Sequence, residues 1–176
     1  MPATPIRTAL LAIATVCATG CTPALDWREF VPEGTDVTVS FPCRPDRHAR
    51  TVALAGAPAK MQMLVCSADG ATWALAFVDV DDPARVGATL DELRRIAVDN
   101  LQGAEPKFEP LQVRGMTPNS QAARLSVVGS LPDGAAVQEH AAFFARGRRV
   151  YQASVIGAQP AAAAVDTYIA ALKFPA

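Results

Sequence analysis

The sequence predicts an α+β fold, an antiparallel β-sheet with two main helices packed against it, preceded by a cleaved signal helix. Three observations carry this. Stretches of strand length, rich in β-branched and aromatic residues, recur between turn signals on both sides of the chain's middle. Val86, Leu90, Leu93, Ala97 and Leu101 form one helical stripe, and Val165, Tyr168, Ile169 and Leu172 form a second. The strands follow one another through short turns, which is the connectivity of antiparallel pairs, and helices against such a sheet make an α+β fold.

In order, Trp27 to Phe30 is a short first strand, turned by Pro32-Glu33-Gly34. Val37, Val39 and Phe41 alternate with Asp36, Thr38 and Ser40, a period of two that marks a half-buried strand ended by Pro42 and Pro45. Arg50 to Leu54 and Met61 to Cys66 are the next strands, joined by Ala55 to Pro58. Ser67-Ala68-Asp69-Gly70 is a turn leading into Trp73 to Val80, apolar enough to be central and covered on both faces. Asp82 can cap a helix, and Pro83 suits its first position, so a helix is predicted over about 83–101 with Gly103 at its end. Phe108 to Val113 is extended and Gly115 to Asn119 is a loop. Ala122–Leu131, Ala135–Ala145 and Arg149–Ile156 make a meander, turned by Pro132-Asp133-Gly134 and Arg146-Gly147-Arg148. A final helix runs from Pro160 through Leu172, started by four alanines.

The first residues carry an address. Arg7 precedes a short apolar core, Ala9 to Val16, too short for a bilayer of roughly 30 Å and therefore read as a cleaved signal. Ala18-Thr19-Gly20-Cys21 resembles a bacterial lipobox, with Ala18 where leucine is usual. The expected organisation is a signal at 1–20, a lipidated tether at 21–26 and one globular domain at 27–176, with acyl chains on Cys21. The alternative is ordinary cleavage near Ala18 or Gly20, leaving Cys21 a free thiol. Thr22, rather than Asp, after the cysteine points to the outer membrane facing the periplasm. Removing 20 of the 176 residues leaves 156, with one fewer basic side chain than the 16 of the full chain and all 17 acidic ones. That near-neutral balance excludes a general nucleic-acid binder, which needs a basic excess.

Cys43 and Cys66 remain as an even pair in an oxidising compartment and are predicted to form a disulfide. Its loop would contribute roughly 3 kcal/mol. Free thiols or a redox pair are the alternatives; the spacing is not C-x-x-C. His48 and His140 are the only histidines and form no zinc pattern with the cysteines, so neither a metal nor a cofactor is expected.

Phe41-Pro42-Cys43-Arg44-Pro45, the strand Trp73 to Phe77 before a helix, and the closing segment Tyr168 to Phe174 resemble the fold family of the photosystem II extrinsic protein PsbP and the Mog proteins. The chain also looks like uncharacterised lipoproteins of Gram-negative bacteria. Neither resemblance brings a catalytic residue, and fold does not fix function.

No catalytic motif is found. Glu139 and His140 are adjacent on a strand and so face opposite sides of the sheet. Ser154 or Ser126 with His140 and Asp133 makes a triad only on paper, without a nucleophile elbow. Two basic groups, Arg44, Arg47 and Arg50 beside His48, and Arg146, Arg148 and Arg149, are candidate contacts for an anionic ligand if the fold joins them, or else solvated turns that protect strand edges. The expected function is a non-enzymatic, lipid-anchored envelope protein that binds another envelope component. The alternative is a small-ligand or lipid-headgroup carrier with a pocket between sheet and helix, and a hydrolase comes third.

Overall fold

The computed structural model describes residues 24–102 and 104–175. The signal, the lipidation cysteine Cys21 and Gly103 lie outside the described residues. Among the described residues, nine strands and two α-helices follow in the order β1 (Arg28–Phe30), β2 (Val39–Phe41), β3 (Asp46–Leu54), β4 (Ala57–Ala68), β5 (Ala71–Asp79), α1 (Val86–Asn100), β6 (Ala104–Pro110), β7 (Ala123–Ser130), β8 (Ala136–Arg146), β9 (Arg149–Gly157) and α2 (Ala162–Ala170). The architecture is α+β. A seven-stranded antiparallel sheet runs β3-β4-β5-β9-β8-β7-β6, and β1 pairs with β2 beside it.

The sheet is built from two runs of hairpins. β3, β4 and β5 turn tightly on Ala55-Gly56 and Asp69-Gly70, all four with positive φ. Two-residue loops with both φ values positive match the twist of the strands they join. The segment expected to join β3 and β4 at 55–58 therefore shrinks to two residues. Ala57 and Pro58 enter the strand, and β3 begins as early as Asp46. The meander β7-β8-β9 forms as expected, and β9 returns to lie against β5. Strand β5 is thus interior to the sheet, and its side chains feed both faces.

Each face carries its own apolar layer. On one, Trp73, Leu75, Phe77, Tyr151 and Phe144 pack under α2 and the β1–β2 pair. On the other, Val78, Leu125, Phe143 and Val150 pack under Leu90, Leu93 and Ala97 of α1. The alternation along β5 and β8 is what divides the side chains between the layers.

Helix α1 is fixed at both ends. A 3-10 turn at Pro83–Arg85 precedes it, so the predicted helix starts in tighter winding than expected. Asp82 accepts a hydrogen bond from the Ala84 amide (2.9 Å). The Arg85 guanidinium donates to the carbonyls of Leu54 (3.0 Å) and Ala55 (2.7 Å), and the Ala55 amide donates to Glu92. At the far end, the Ser130 amide donates to the Leu101 carbonyl (2.8 Å). Gly129 lets that carbonyl approach, since a Cβ there would lie 2.2 Å from it. The left-handed position after the helix is taken by Gln102, φ 48°. Helix α2 ends at Ala170, short of the expected Leu172, but Val165, Tyr168, Ile169 and Leu172 are all buried as the stripe requires.

Cys43 and Cys66 form a disulfide, which ties the turn after β2 to β4. Among the described residues, no helix is long and apolar enough to cross a membrane.

Candidate functional site

Helix α1 crosses the sheet from the β3–β4 hairpin tip to the β7 end, and it leaves part of the sheet beside it uncovered. Between them lies a cleft of about 480 Å3. Its walls are mostly hydrocarbon: Met61, Met63 and Val65 from β4, and Leu93, Ile96 and Ala97 from α1. Small residues keep the floor open, with Ala74 of β5 and Ser154 of β9 as directly opposed neighbours. Strand β3 is largely exposed on both faces and stands as the outer rim. An apolar concavity with a few polar groups is the usual form of a small-molecule site.

Glu139 is the group that departs from this pattern. It lines the cleft from β8, is only 3% exposed, and shares its face of the strand with Val137, Ala141, Phe143 and Ala145. Burial strips water from the carboxylate and raises its pKa from 4.5 to about 7. The Gln152 side chain works weakly against the shift by favouring the charged form. Among the described residues, no cation beside it offsets the burial.

Unfolded, this carboxyl ionises near 4.5, and folded near 7. Between those values the folded chain keeps a proton that the unfolded chain has released, so Glu139 makes stability fall as pH rises through that window and level off above it. His140, its pKa lowered by burial and then by Arg124, pulls the other way on the approach to 6.5. Comparing urea midpoints of the native chain and Glu139→Gln from pH 4.5 to 8 isolates the carboxyl. The variant should gain on the native chain steadily up to about pH 7, and an unchanging difference between the two would refute the buried charge.

The arginines do not form a ring. Arg50 lines the cleft from β3, four strand spacings across the sheet (about 19 Å) and six residues along it (about 20 Å) from Glu139. Arg47 pairs with Glu33 (3.1 Å), Arg146 with Asp36 (3.2 Å), and Arg149 with Asp79 (2.7 Å) while also donating to the Gly34 carbonyl. Members of both basic groups thus meet at residues 33–36, but they clamp that loop and are spent on its carboxylates and carbonyl. The Arg149 guanidinium also holds the Asp79 carboxyl below its ordinary range. Arg148 donates to the Asp81 carbonyl (3.0 Å). Arg44 lines a shallow hollow beside the disulfide together with Arg28, Phe30 and Arg47.

His140 faces the opposite side of the sheet from Glu139, as strand geometry requires. Its Nδ1 is 2.9 Å from Ser126 Oγ, its direct cross-strand partner. The nearby carboxylate, Asp166, is held by Arg124 (2.6 Å). The open groove beside them is lined by Arg124 and Asp166 but by neither Ser126 nor His140. The pair therefore has the geometry of a cross-strand hydrogen bond. Ser154 is on the other face, in the cleft, and cannot join His140.

The chain matches no family model and no curated protein.

The sequence pointed to a pocket between sheet and helix but not to Glu139 as its buried acid. A signal was present. Val137, Ala141, Phe143 and Ala145 make an apolar row at period two, and Glu139 is the one charge within it. A carboxylate on such a row is buried unless the strand lies at an uncovered edge, and burying one is costly enough to suggest a use.

Proposed function

We propose that this chain is a non-enzymatic, lipid-anchored envelope protein that binds an apolar small molecule in the cleft between the sheet and α1. The carrying observation is the cleft itself, with hydrocarbon walls over a floor held open by Ala74 and Ser154. The anchor rests on the lipobox-like Ala18-Thr19-Gly20-Cys21, and the bacterial outer membrane is the proposed site of work. Two or three acyl chains at Cys21 would hold the protein there, since one alone binds marginally. The likeness to the PsbP and Mog fold family rests on the Phe41–Pro45 turn, the Trp73–Phe77 strand and the closing helix, together with two helices on a large antiparallel sheet. The small-ligand reading is preferred to a protein partner because the cleft is a concave apolar site. Against the hydrolase reading, the groove beside Ser126 and His140 is lined by neither of them.

A neutral fluorescent probe, N-phenyl-1-naphthylamine, tests the cleft. Its emission should rise on binding to the domain beginning at Thr22, and Ala74→Trp, which fills the floor, should weaken binding at least tenfold while leaving the melting temperature close to native. Equal binding by the variant would rule the cleft out. Separately, Cys21→Ser should move the full-length protein from the membrane to the soluble periplasmic fraction. Continued firm membrane association would count against the anchor.

A further inference from the structure

We propose that the ligand of this cleft is a lipophilic cation, an ammonium group on an elongated hydrocarbon body, seated with its charge against Glu139. The inference rests on the cleft reading above and specifies the chemistry of its ligand.

Glu139 is 3% exposed and belongs to the lining of the cleft, so its carboxylate lies beside the cavity almost wholly removed from bulk water. The groups facing it from each wall carry no compensating charge. Its direct cross-strand neighbours are Val127 of β7 and Ile156 of β9, and the rest of the cleft lining near this end includes Ala97 and Asn100 of α1, Gln152 and Ser154 of β9, and Thr72 and Ala74 of β5, all uncharged. Among the residues lining the cleft, Arg50 is the only cation, and it stands at the exposed rim on the far side of the sheet. A buried charge is normally paired, coordinated or neutralised. Among the described residues Glu139 has the neutral Gln152 side chain beside it but no cation lining the cleft next to it, and a cationic ligand would supply the counter-charge.

The two ends of the cleft are not equivalent. An anionic head at Arg50 would meet a solvated guanidinium, where water screens the attraction. A cationic head at Glu139 would meet a desolvated carboxylate, where the same charges attract more strongly. The hydrocarbon walls between the two ends, including the flexible side chains of Met61 and Met63, suit an apolar chain of variable shape. Protonation of Glu139 opposes cation binding, because the neutral acid offers no counter-charge. Affinity for a cation therefore falls as pH drops through the carboxyl's pKa, raised by burial to about 7.

Calorimetric titration with three probes of one chain length separates the readings: dodecylammonium, dodecanol and dodecanoate, each below its micellar concentration. At pH 8, dodecylammonium should bind at least tenfold more tightly than either of the others. Its affinity should drop by roughly 30-fold at pH 5.5, following the ionised fraction of one carboxyl, while that of dodecanol stays level. Glu139→Gln should abolish both the preference and the pH dependence while keeping dodecanol binding, which shows that the variant is folded. Arg50→Gln should leave the cation preference intact. Tighter binding of dodecanoate, lost in Arg50→Gln, would overturn the proposal in favour of an anionic ligand. Equal binding of all three heads would overturn it while leaving the apolar cleft standing. No binding by any probe would remove both readings.

Discussion

Replacing Trp73 with Ala is expected to lower the folding free energy by about 4 kcal/mol, within the usual range for a buried aromatic. Trp73 is 1% exposed and sits at the junction of three elements. Its ring meets Trp27 edge-on at 5.6 Å and Tyr168 of α2 at 5.4 Å. Its indole N–H donates to the Ala68 carbonyl across the β4–β5 turn (3.2 Å). Tyr168 in turn donates its hydroxyl hydrogen to the Ala74 carbonyl (2.7 Å) and packs edge-on against Phe41. Truncating Trp73 leaves a void that neighbouring strands cannot close, because β4 and β9 hold β5 on both sides. A domain of ordinary stability has about 5–15 kcal/mol in hand, so the variant would sit close to unfolding. Urea denaturation followed by circular dichroism measures the loss. Trp73→Phe should recover more than half of it, since packing rather than the N–H bond dominates. A loss below about 1 kcal/mol for Ala would show that α2 and the β1–β2 pair do not depend on this ring.

Removing the Cys43–Cys66 bridge by double replacement with Ser is expected to cost about 3 kcal/mol, chiefly because the unfolded chain recovers the freedom of the closed loop. The bridged residues are 23 positions apart. For a chain of this length the loss corresponds to a melting temperature roughly 10 °C lower. The bridge holds the turn Pro42 to Pro45 against β4, on the face that packs under α2, with Cys66 paired in register with Trp73. The α1 cleft lies on the other face. The double variant should therefore melt earlier yet bind the neutral probe with affinity unchanged within twofold. Lost binding at a temperature where the variant remains folded would show that the two faces are coupled through β4.

Much of the fold was legible in local pattern. The stripe from Val86 to Leu101 could serve only one buried face, so α1 was readable without any knowledge of what covers it. The meander was readable because Pro132-Asp133-Gly134 and Gly147 fall at the ends of strand-length runs. Ends were less legible than elements. Asp46 to Ala49 pair in β3 although all four are exposed and three are polar, because β4 supplies the hydrogen-bonding edge. Nothing in those four residues announces a strand. Helix α2 stops at Ala170 because the chain must turn for Lys173 to bridge to Thr38 and Arg114.

The arginines show the same limit at the level of sites. Arg47, Arg146 and Arg149 look alike in sequence as exposed turn cations. Arg47 and Arg146 find carboxylates only because residues 33–36, between β1 and β2, lie beside them, whereas Arg149 meets Asp79, its cross-strand partner on β5. His140 and Ser126 likewise become partners only through the register of β7 against β8.

The sequence by itself determined the period of each element, hence which side chains share a face. Alternation along β8 is enough to put Glu139 with Val137, Ala141 and Phe143, and to put His140 opposite. Only the tertiary structure decided what each face meets. Helix α1 could have covered the sheet completely, burying Glu139 in a closed core. Its two fixed ends, at Arg85 and at Leu101, set it along one side instead and leave a cleft beside it. The reason is physical: periodicity is a property of neighbouring residues, whereas a cavity is the space left between elements whose positions are set by bonds formed far apart in the chain.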